Sequence, residues 1–343
     1  MASDSCFNPA LDFTRIIGGC TESAFSNQVF AKLGKLAPDS PVMINIGANT
    51  GYAIVEFFAR FSDPGRISPK KWKRMMIDYA NAPATRSGHL VWTACGACFQ
   101  CNDEMPAGLP VAGRATAHAL ELDAKNRHVL SHLANVTKMP LTVHAAAGGA
   151  EDGRGCAAWS ALAGFEKHAV AAFENMSAIR HPVQHRRHSC WRRPKKQLFA
   201  VRSVDSIMAS EGISHVYHLS IDTEGWDAVV LDGARSALKR RRISIVEFEY
   251  SARWQQMSRS LGKVVAELDT YGYRCFFLPG GKAKATRKTK ATRRNSTLVP
   301  LSGTCWRSTF EVYRWSNVVC VVEPQAVEML RELCSHCTPT TAV

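Results

Sequence analysis

The chain has 343 residues, 46% of them hydrophobic and 21% charged. That is ordinary for a globular protein and leaves room for one large domain or two smaller ones. No stretch approaches the roughly 18 apolar residues of a membrane span. The opening MASDSCFNPALDF has no basic segment followed by an apolar run, so the expectation is no secretory leader and a cytoplasmic location with reduced thiols among the 12 cysteines. The formal net charge is +14, and 13 of those charges sit in two acid-free runs, Arg186–Lys196 and Lys282–Arg294. The basicity therefore belongs to two loops and not to the fold.

In chain order, FSNQVFAKLGKL (25–36) has helical apolar spacing, closed by Pro38. It reads as part of a helical preface over residues 1–40, ahead of one domain over 41–343. Strands are expected at 42–46, 115–122, 141–146, 198–201, 216–221, 243–248, 274–278 and 318–322. Helices are expected at 52–61, 124–134, 203–209, 228–238 and 261–271, with another near 157–176. Insertions are expected near 62–113, 150–196 and 280–316. Strands separated by helices of about ten residues predict an α/β fold with a mostly parallel sheet and helices on both faces.

In such a sheet, ligands sit at the carboxyl ends of the strands, at the point where the strand order reverses. MINIGANTGYAIVEF (43–57) reads as strand, turn and helix. Gly47 and Gly51 allow close backbone approach, and Asn49 tolerates unusual backbone angles. Ile54 and Val55 stand where a dinucleotide site needs its third glycine. A ligand with a ribose but no phosphate fits better, and S-adenosylmethionine is the obvious one. Glu121, at the end of the next strand, is placed to hold a ribose. Asn45 and Ala146, on the first and third strands, complete the expected cofactor set.

HLSIDTEGWDAVVLDGARSAL (218–238) and ISIVEFEY (243–250) then put Asp222, Glu224 and Glu247 at strand ends. Carboxylates clustered there are costly to bury, and usually bind or catalyse. The two motifs, in this order, resemble the FkbM-type methyltransferase family. Its first motif reads roughly D-I-G-A-N-x-G. Its second reads K-I-D-x-E-G-x-E, then L-x-G-A, then a strand ending in Glu. VRSVDSIM (201–208) resembles its T-L-D-x-L-L element, and ELDTYGYRCFFL and WSNVVCV resemble its closing segments. The resemblance spans about 41–149 and 198–323. Asn45, Ser220 and Asp227 stand where the family has Asp, Lys and Glu.

The resemblance implies a Rossmann-like class I fold, with a seven-stranded sheet whose final strand is antiparallel. It also implies methyl transfer from S-adenosylmethionine, commonly to a hydroxyl on a small molecule or glycan. Alignment of donor and acceptor would supply most of the catalysis, and a base would take the hydroxyl proton. Asp222 is the first candidate and Glu224 the second, unless Glu224 only fixes its loop. Glu247 and His144 are candidates on the acceptor side, although a lone His in such a place is more often simply packed.

HLVWTACGACFQCND carries Cys95, Cys98 and Cys101, with His89 upstream. Its overlapping C-x-x-C steps could hold a structural zinc, with His89, Cys334 or Cys337 as fourth ligand. Free thiols are the plainer reading. The basic runs would recruit an anionic acceptor, such as an acidic glycan or nucleic acid, or would simply be solvated loops. Trp191 is the only aromatic residue within the first run, which is little stacking surface for a nucleic acid. The alternatives are therefore a methyltransferase acting on RNA or protein, and a catalytically silent binding module that keeps the fold.

Overall fold

The computed structural model of the protein describes residue 17 and residues 23–61, 67–81, 114–158, 196–280 and 297–334. The helices are α1 (Ser23–Leu33), α2 (Tyr52–Phe61), α3 (Pro69–Asn81), α4 (Ala124–Thr137), α5 (Val204–Ser210), α6 (Asp227–Asp232), α7 (Arg235–Lys239), α8 (Arg253–Gln256), α9 (Leu261–Thr270) and α10 (Pro324–Arg331). The strands are β1 (Val42–Ile46), β2 (Thr116–Leu120), β3 (Leu141–His144), β4 (Ala146–Gly148), β5 (Gly153–Ala158), β6 (Lys196–Arg202), β7 (Val216–Ile221), β8 (Ile243–Tyr250), β9 (Arg274–Phe277), β10 (Val299–Pro300) and β11 (Ser316–Val321).

The main sheet runs β10-β9-β11-β8-β7-β1-β2-β3. The five strands β3, β2, β1, β7 and β8 are parallel. β11 lies antiparallel between β8 and β9, as the family resemblance implies. The sheet has eight strands instead of seven, because the two-residue β10 adds to the β9 edge. The strand order reverses between β1 and β7, so their carboxyl ends form the switch point.

Apolar side chains cover both faces of this sheet. One core is built by α1, α2, α3, α4 and α10, with Val29, Phe58, Trp72, Leu130 and Leu330 fully buried. The other is built by α5 to α9, with Ile207, Val230, Trp254 and Leu261 fully buried. A central parallel sheet with both faces covered needs apolar residues on both sides. β7 shows this, with all six residues buried.

Several boundaries differ from the sequence reading. The expected single strand 141–146 breaks after His144. Its tail becomes β4, which pairs with β6 in a separate three-stranded sheet, β4-β6-β5. The expected helix 228–238 is two short helices, because the chain turns at Gly233-Ala234. α3 emerges from a stretch read only as insertion. Pro69 opens it, and the Ser68 hydroxyl accepts a hydrogen bond from the Lys71 N–H at 3.1 Å.

The expectation of reduced thiols is also corrected. Cys275 and Cys320 are register partners on β9 and β11 and form a disulfide. Cys305 is disulfide-bonded, and so is Cys334, which is therefore no free zinc ligand. Sequence spacing could not reveal a cross-strand pair separated by 45 residues. Cys95, Cys98, Cys101, His89 and Cys337 lie outside the described residues. So do both basic runs, apart from Lys196, and the expected helix near 157–176, whose first two residues instead end β5.

Candidate active site

The turn after β1 is held from three sides. The N–H groups of Gly47 and Ala48 both donate to the Leu120 carbonyl, at 2.9 and 3.1 Å. The Glu121 carboxylate accepts from the Asn49 N–H and the Asp123 N–H, each at 2.6 Å. The Trp72 indole, fully buried, donates to the Thr50 carbonyl at 2.7 Å. Trp72 is a site residue that sequence reasoning missed, because it sits on the unread helix α3.

Gly47, Asn49 and Gly51 all have positive φ, as the turn requires. The two glycines also answer to the protein itself. A Cβ on Gly47 would lie 1.9 Å from the Asp222 carbonyl oxygen, and one on Gly51 would lie 2.6 Å from Leu130 Cδ2. Both glycines thus let the turn pack against neighbouring elements, whatever ligand it meets.

Glu121 is buried, and burial pushes its carboxyl up to about 7, against the pull of the two backbone N–H groups. Each of its oxygens keeps a lone pair beyond the one used by the turn. Asn45 is buried on β1, and its amide donates to the Ser220 carbonyl at 3.3 Å and to the Ser220 hydroxyl at 3.2 Å. Two of the three positions that depart from the family pattern are therefore bonded to each other. The Asn45 Oδ1 is left without a partner.

The turn after β7 lies one strand away. Asp222 follows the strand, its N–H donates to the Ile46 carbonyl at 2.9 Å, and its side chain is exposed. Glu224 and Gly225 take positive φ. Asp227 is completely buried. It accepts from the Thr223 hydroxyl at 2.9 Å, from the Gly225 N–H at 3.3 Å and from the Glu249 N–H at 3.0 Å. Burial first, and then the Asp222 charge, push Asp227 up to about 7. Glu224 is salt-bridged to Arg253, whose guanidinium also donates to the Glu224 carbonyl at 2.8 Å.

β8 runs two residues further than the sequence reading. This puts Glu249, and not Glu247, beside the β7 turn. Burial, followed by the charges of Asp222, Asp227 and Glu224, pushes Glu249 up to about 10. At neutral pH it is therefore a protonated acid, hydrogen-bonded to the Asp222 side chain. The alternation in EFEY carried a signal for this, since residues two apart on a strand share a face.

Glu247 sits inside the strand, paired in register with Ser220. Its Oε2 lies 3.3 Å from His218 Nε2, outside hydrogen-bond alignment. It belongs to a polar group under α2 with Arg60, which bonds Asn27 at 2.9 Å. His144 ends β3, three strands from β7, or about 14 Å across the sheet. It faces His118. Ala146 is buried in β4, against β6. The site thus gathers Gly47, Asn49, Gly51, Glu121, Asp222 and Glu224 along one rim, joined by Asp227, Glu249 and Arg253. It leaves Glu247 inside the sheet and puts His144 at the far β3 end of the rim, its carbonyl accepting from the Glu121 N–H at 3.2 Å and its ring turned to His118.

Comparison with known proteins bears on this rim. Residues 148–275 match a methyltransferase FkbM domain. The FkbM-like segment contains the whole β7–β8 carboxylate group and stops short of the turn after β1. A solved structure of methyltransferase FkbM from Methylobacillus flagellatus superposes with a TM-score of 0.34 at 13% identity, over 82% of this chain and 44% of that one. The chain thus spans less than half the length of that protein. A search of curated proteins finds no match. No described helix is long and apolar enough to cross a membrane.

Proposed function

We propose that the protein is an S-adenosylmethionine-dependent methyltransferase acting on a hydroxyl, with Asp222 as the general base. The observation that carries this reading is the carboxylate group at the switch point. Asp222, Glu224, Asp227 and Glu249 converge there, inside the FkbM-like segment, with Arg253 committed to Glu224. The exposed Asp222 carboxylate on this rim suits a cationic ligand, and a sulfonium is one.

The donor set fits that cofactor. The lone pairs left on Glu121 would take ribose hydroxyls, and the backbone of residues 47–51 would border the ligand. The cofactor would supply an electrophilic methyl group. The protein's part is to align an acceptor and to hold its proton. Asp222 is exposed and adjoins the β1 turn through Gly47, so it can meet both ligands. Glu224 is tied down by Arg253 and positions the loop. The neutral Glu249 fixes the Asp222 carboxylate by donating to it. An anionic acceptor drawn by the two basic runs remains part of the proposal, and so does the single-domain organisation over 41–343.

Calorimetry with S-adenosylmethionine and S-adenosylhomocysteine tests the cofactor, and binding of both is expected. Failure of both to bind the folded protein overturns the enzyme reading and leaves the silent module. Incubating extracts with labelled methyl donor, then identifying the labelled product, identifies the acceptor. A salt-sensitive gel shift with RNA would move the choice to a nucleic-acid acceptor.

A further inference from the structure

A second group of potential ligands lies at the β2–β3 end of the sheet, distant from the β7 turn. His118, in the middle of β2, and His144, at the end of β3, point to the same face of the sheet, the one covered by α5. Their rings stack with centroids 5.6 Å apart, and His118 Nδ1 lies 3.4 Å from His144 Nε2. Glu211 follows the last turn of α5, and its Oε2 lies 3.9 Å from His118 Nδ1. One ligand atom from each of the three residues falls within 4.8 Å of the others. Two nitrogens bound tetrahedrally to zinc at their usual distance are about 3.3 Å apart. The imidazole pair already has that spacing.

Two further observations give the cluster a purpose. Burial lowers both histidines below their ordinary range, a direction that favours the neutral imidazole. Arg202, whose charge also acts on His144, is paired with Asp152 at 3.0 Å, which offsets that charge. His118 and Glu211 also line a cavity of about 510 Å³, bordered by Pro38, Ser40, Thr116 and His215. His215 is not in the ligand group, because its Nε2 lies 2.8 Å from the Ser244 hydroxyl. The cavity borders come from the segments before β1 and β7 and from the start of β2. It is therefore at the amino ends of the strands, opposite the rim.

We propose that His118, His144 and Glu211 bind one divalent transition-metal ion of the zinc class, with a remaining coordination position open to this cavity. Two imidazoles and one carboxylate are a donor set that zinc accepts, with a fourth position left for water or a small ligand. The ion would tie the end of α5 to β2 and to β3, the last strand of the main sheet among the described residues. The proposal is independent of the methyl-transfer reading.

The test is a cobalt(II) and zinc(II) titration of the full chain, purified without a histidine tag. It is run on the wild type and on a Cys95→Ser/Cys98→Ser/Cys101→Ser variant, which removes the competing thiols. The expected result is one equivalent bound in both, a cobalt spectrum without the charge-transfer band of a thiolate ligand, and a rise in melting temperature with zinc. His144→Ala, His144→Gln and Glu211→Gln should each weaken binding by about 100-fold or more, since even second-shell losses cost 10–100-fold. His215→Ala should bind as the wild type does. If the cysteine variant has no saturable binding, or the band of a thiolate ligand dominates the wild type, the site is refuted. Equal affinity in folded His144→Gln and Glu211→Gln refutes it too.

Discussion

The turns after β1 and β7 sit side by side at the switch point, and both rest on a buried carboxylate. Glu121 holds the first by accepting two backbone N–H groups. Asp227 holds the second by accepting two N–H groups and a hydroxyl. Burial lifts each acid to about 7. The difference lies in what stands above the brace. The β1 turn presents mainly backbone, which suits shape and hydrogen-bond recognition of a cofactor. The β7 turn presents Asp222, a charged side chain in contact with the neutral acid Glu249, which suits proton transfer. On the proposed function, similar supports would carry two kinds of chemistry.

That division of labour is broken most directly at Asp222. Asp222→Asn keeps size and removes charge. Turnover should fall by about 10²–10⁴, while affinity for S-adenosylhomocysteine changes far less. If affinity falls with turnover, Asp222 belongs to the cofactor side and the comparison fails. Near-normal turnover per folded molecule, with a lower melting temperature, would make it a structural cap.

Gly47→Ala tests whether the two turns are mechanically one unit. The new methyl would sit 1.9 Å from the Asp222 carbonyl oxygen, at a residue with φ +78°. A non-glycine residue in that region and the steric conflict together should cost about 3 kcal/mol of stability. Urea unfolding measures this, and a wild-type midpoint would mean that the turns do not touch in solution. Loss of cofactor binding in this variant would not by itself identify a cofactor contact.

The strand order and the helices α3, α8 and α10 were not read from the sequence, but the mostly parallel sheet and helices such as α2, α4 and α9 were legible there. Their signals are local: apolar runs, helical spacing, Gly-Gly and Pro-Gly breaks. Glu121, Asp222 and the glycine turn could be found for the same reason. The supports could not. Trp72 acts across 22 residues and Arg253 across 29, and contacts at that range leave no spacing pattern. Glu249 was missed because strand ends are weakly marked. Ending β8 at Phe248 made Glu247 the rim acid, whereas the strand carries on to Tyr250 and turns Glu247 inward beside His218.

Glu121 offers a two-sided test. Glu121→Ala should weaken cofactor binding by about 1.5–3 kcal/mol if its bond to the ribose is charge-assisted, read by calorimetry. Unchanged affinity would place the ribose elsewhere. The same residue should shape the pH dependence of stability. Its folded value, about 7, lies above the ordinary 4.5. Between these values the native state holds more proton than the unfolded chain, so stability falls as pH rises. Wild type should lose about 3 kcal/mol relative to Glu121→Gln across that window. Asp123 works in the same direction and Arg127 against it. Denaturant unfolding from pH 4.5 to 7.5 measures the difference, and parallel curves would contradict the buried-acid assignment.

The smallest effect, and the finest distinction, concerns Glu249. It is held near 10 by burial and by three neighbouring carboxylates, so it acts at neutral pH as a donor and not as a charge. Glutamine is also neutral and can donate, so Glu249→Gln should retain turnover within about twofold. Alanine leaves Asp222 without this partner. A lost hydrogen bond to a charged group is worth about 1.5–3 kcal/mol, and only part of that separates ground state from transition state. Glu249→Ala should therefore lower kcat by about tenfold, with little change in KM for the methyl donor. Rescue by glutamine and not by alanine would mark Glu249 as a positioning residue for Asp222. Equal loss in both variants would mean that its carboxyl itself exchanges a proton. The assignment of the base would then move from Asp222 alone to the pair.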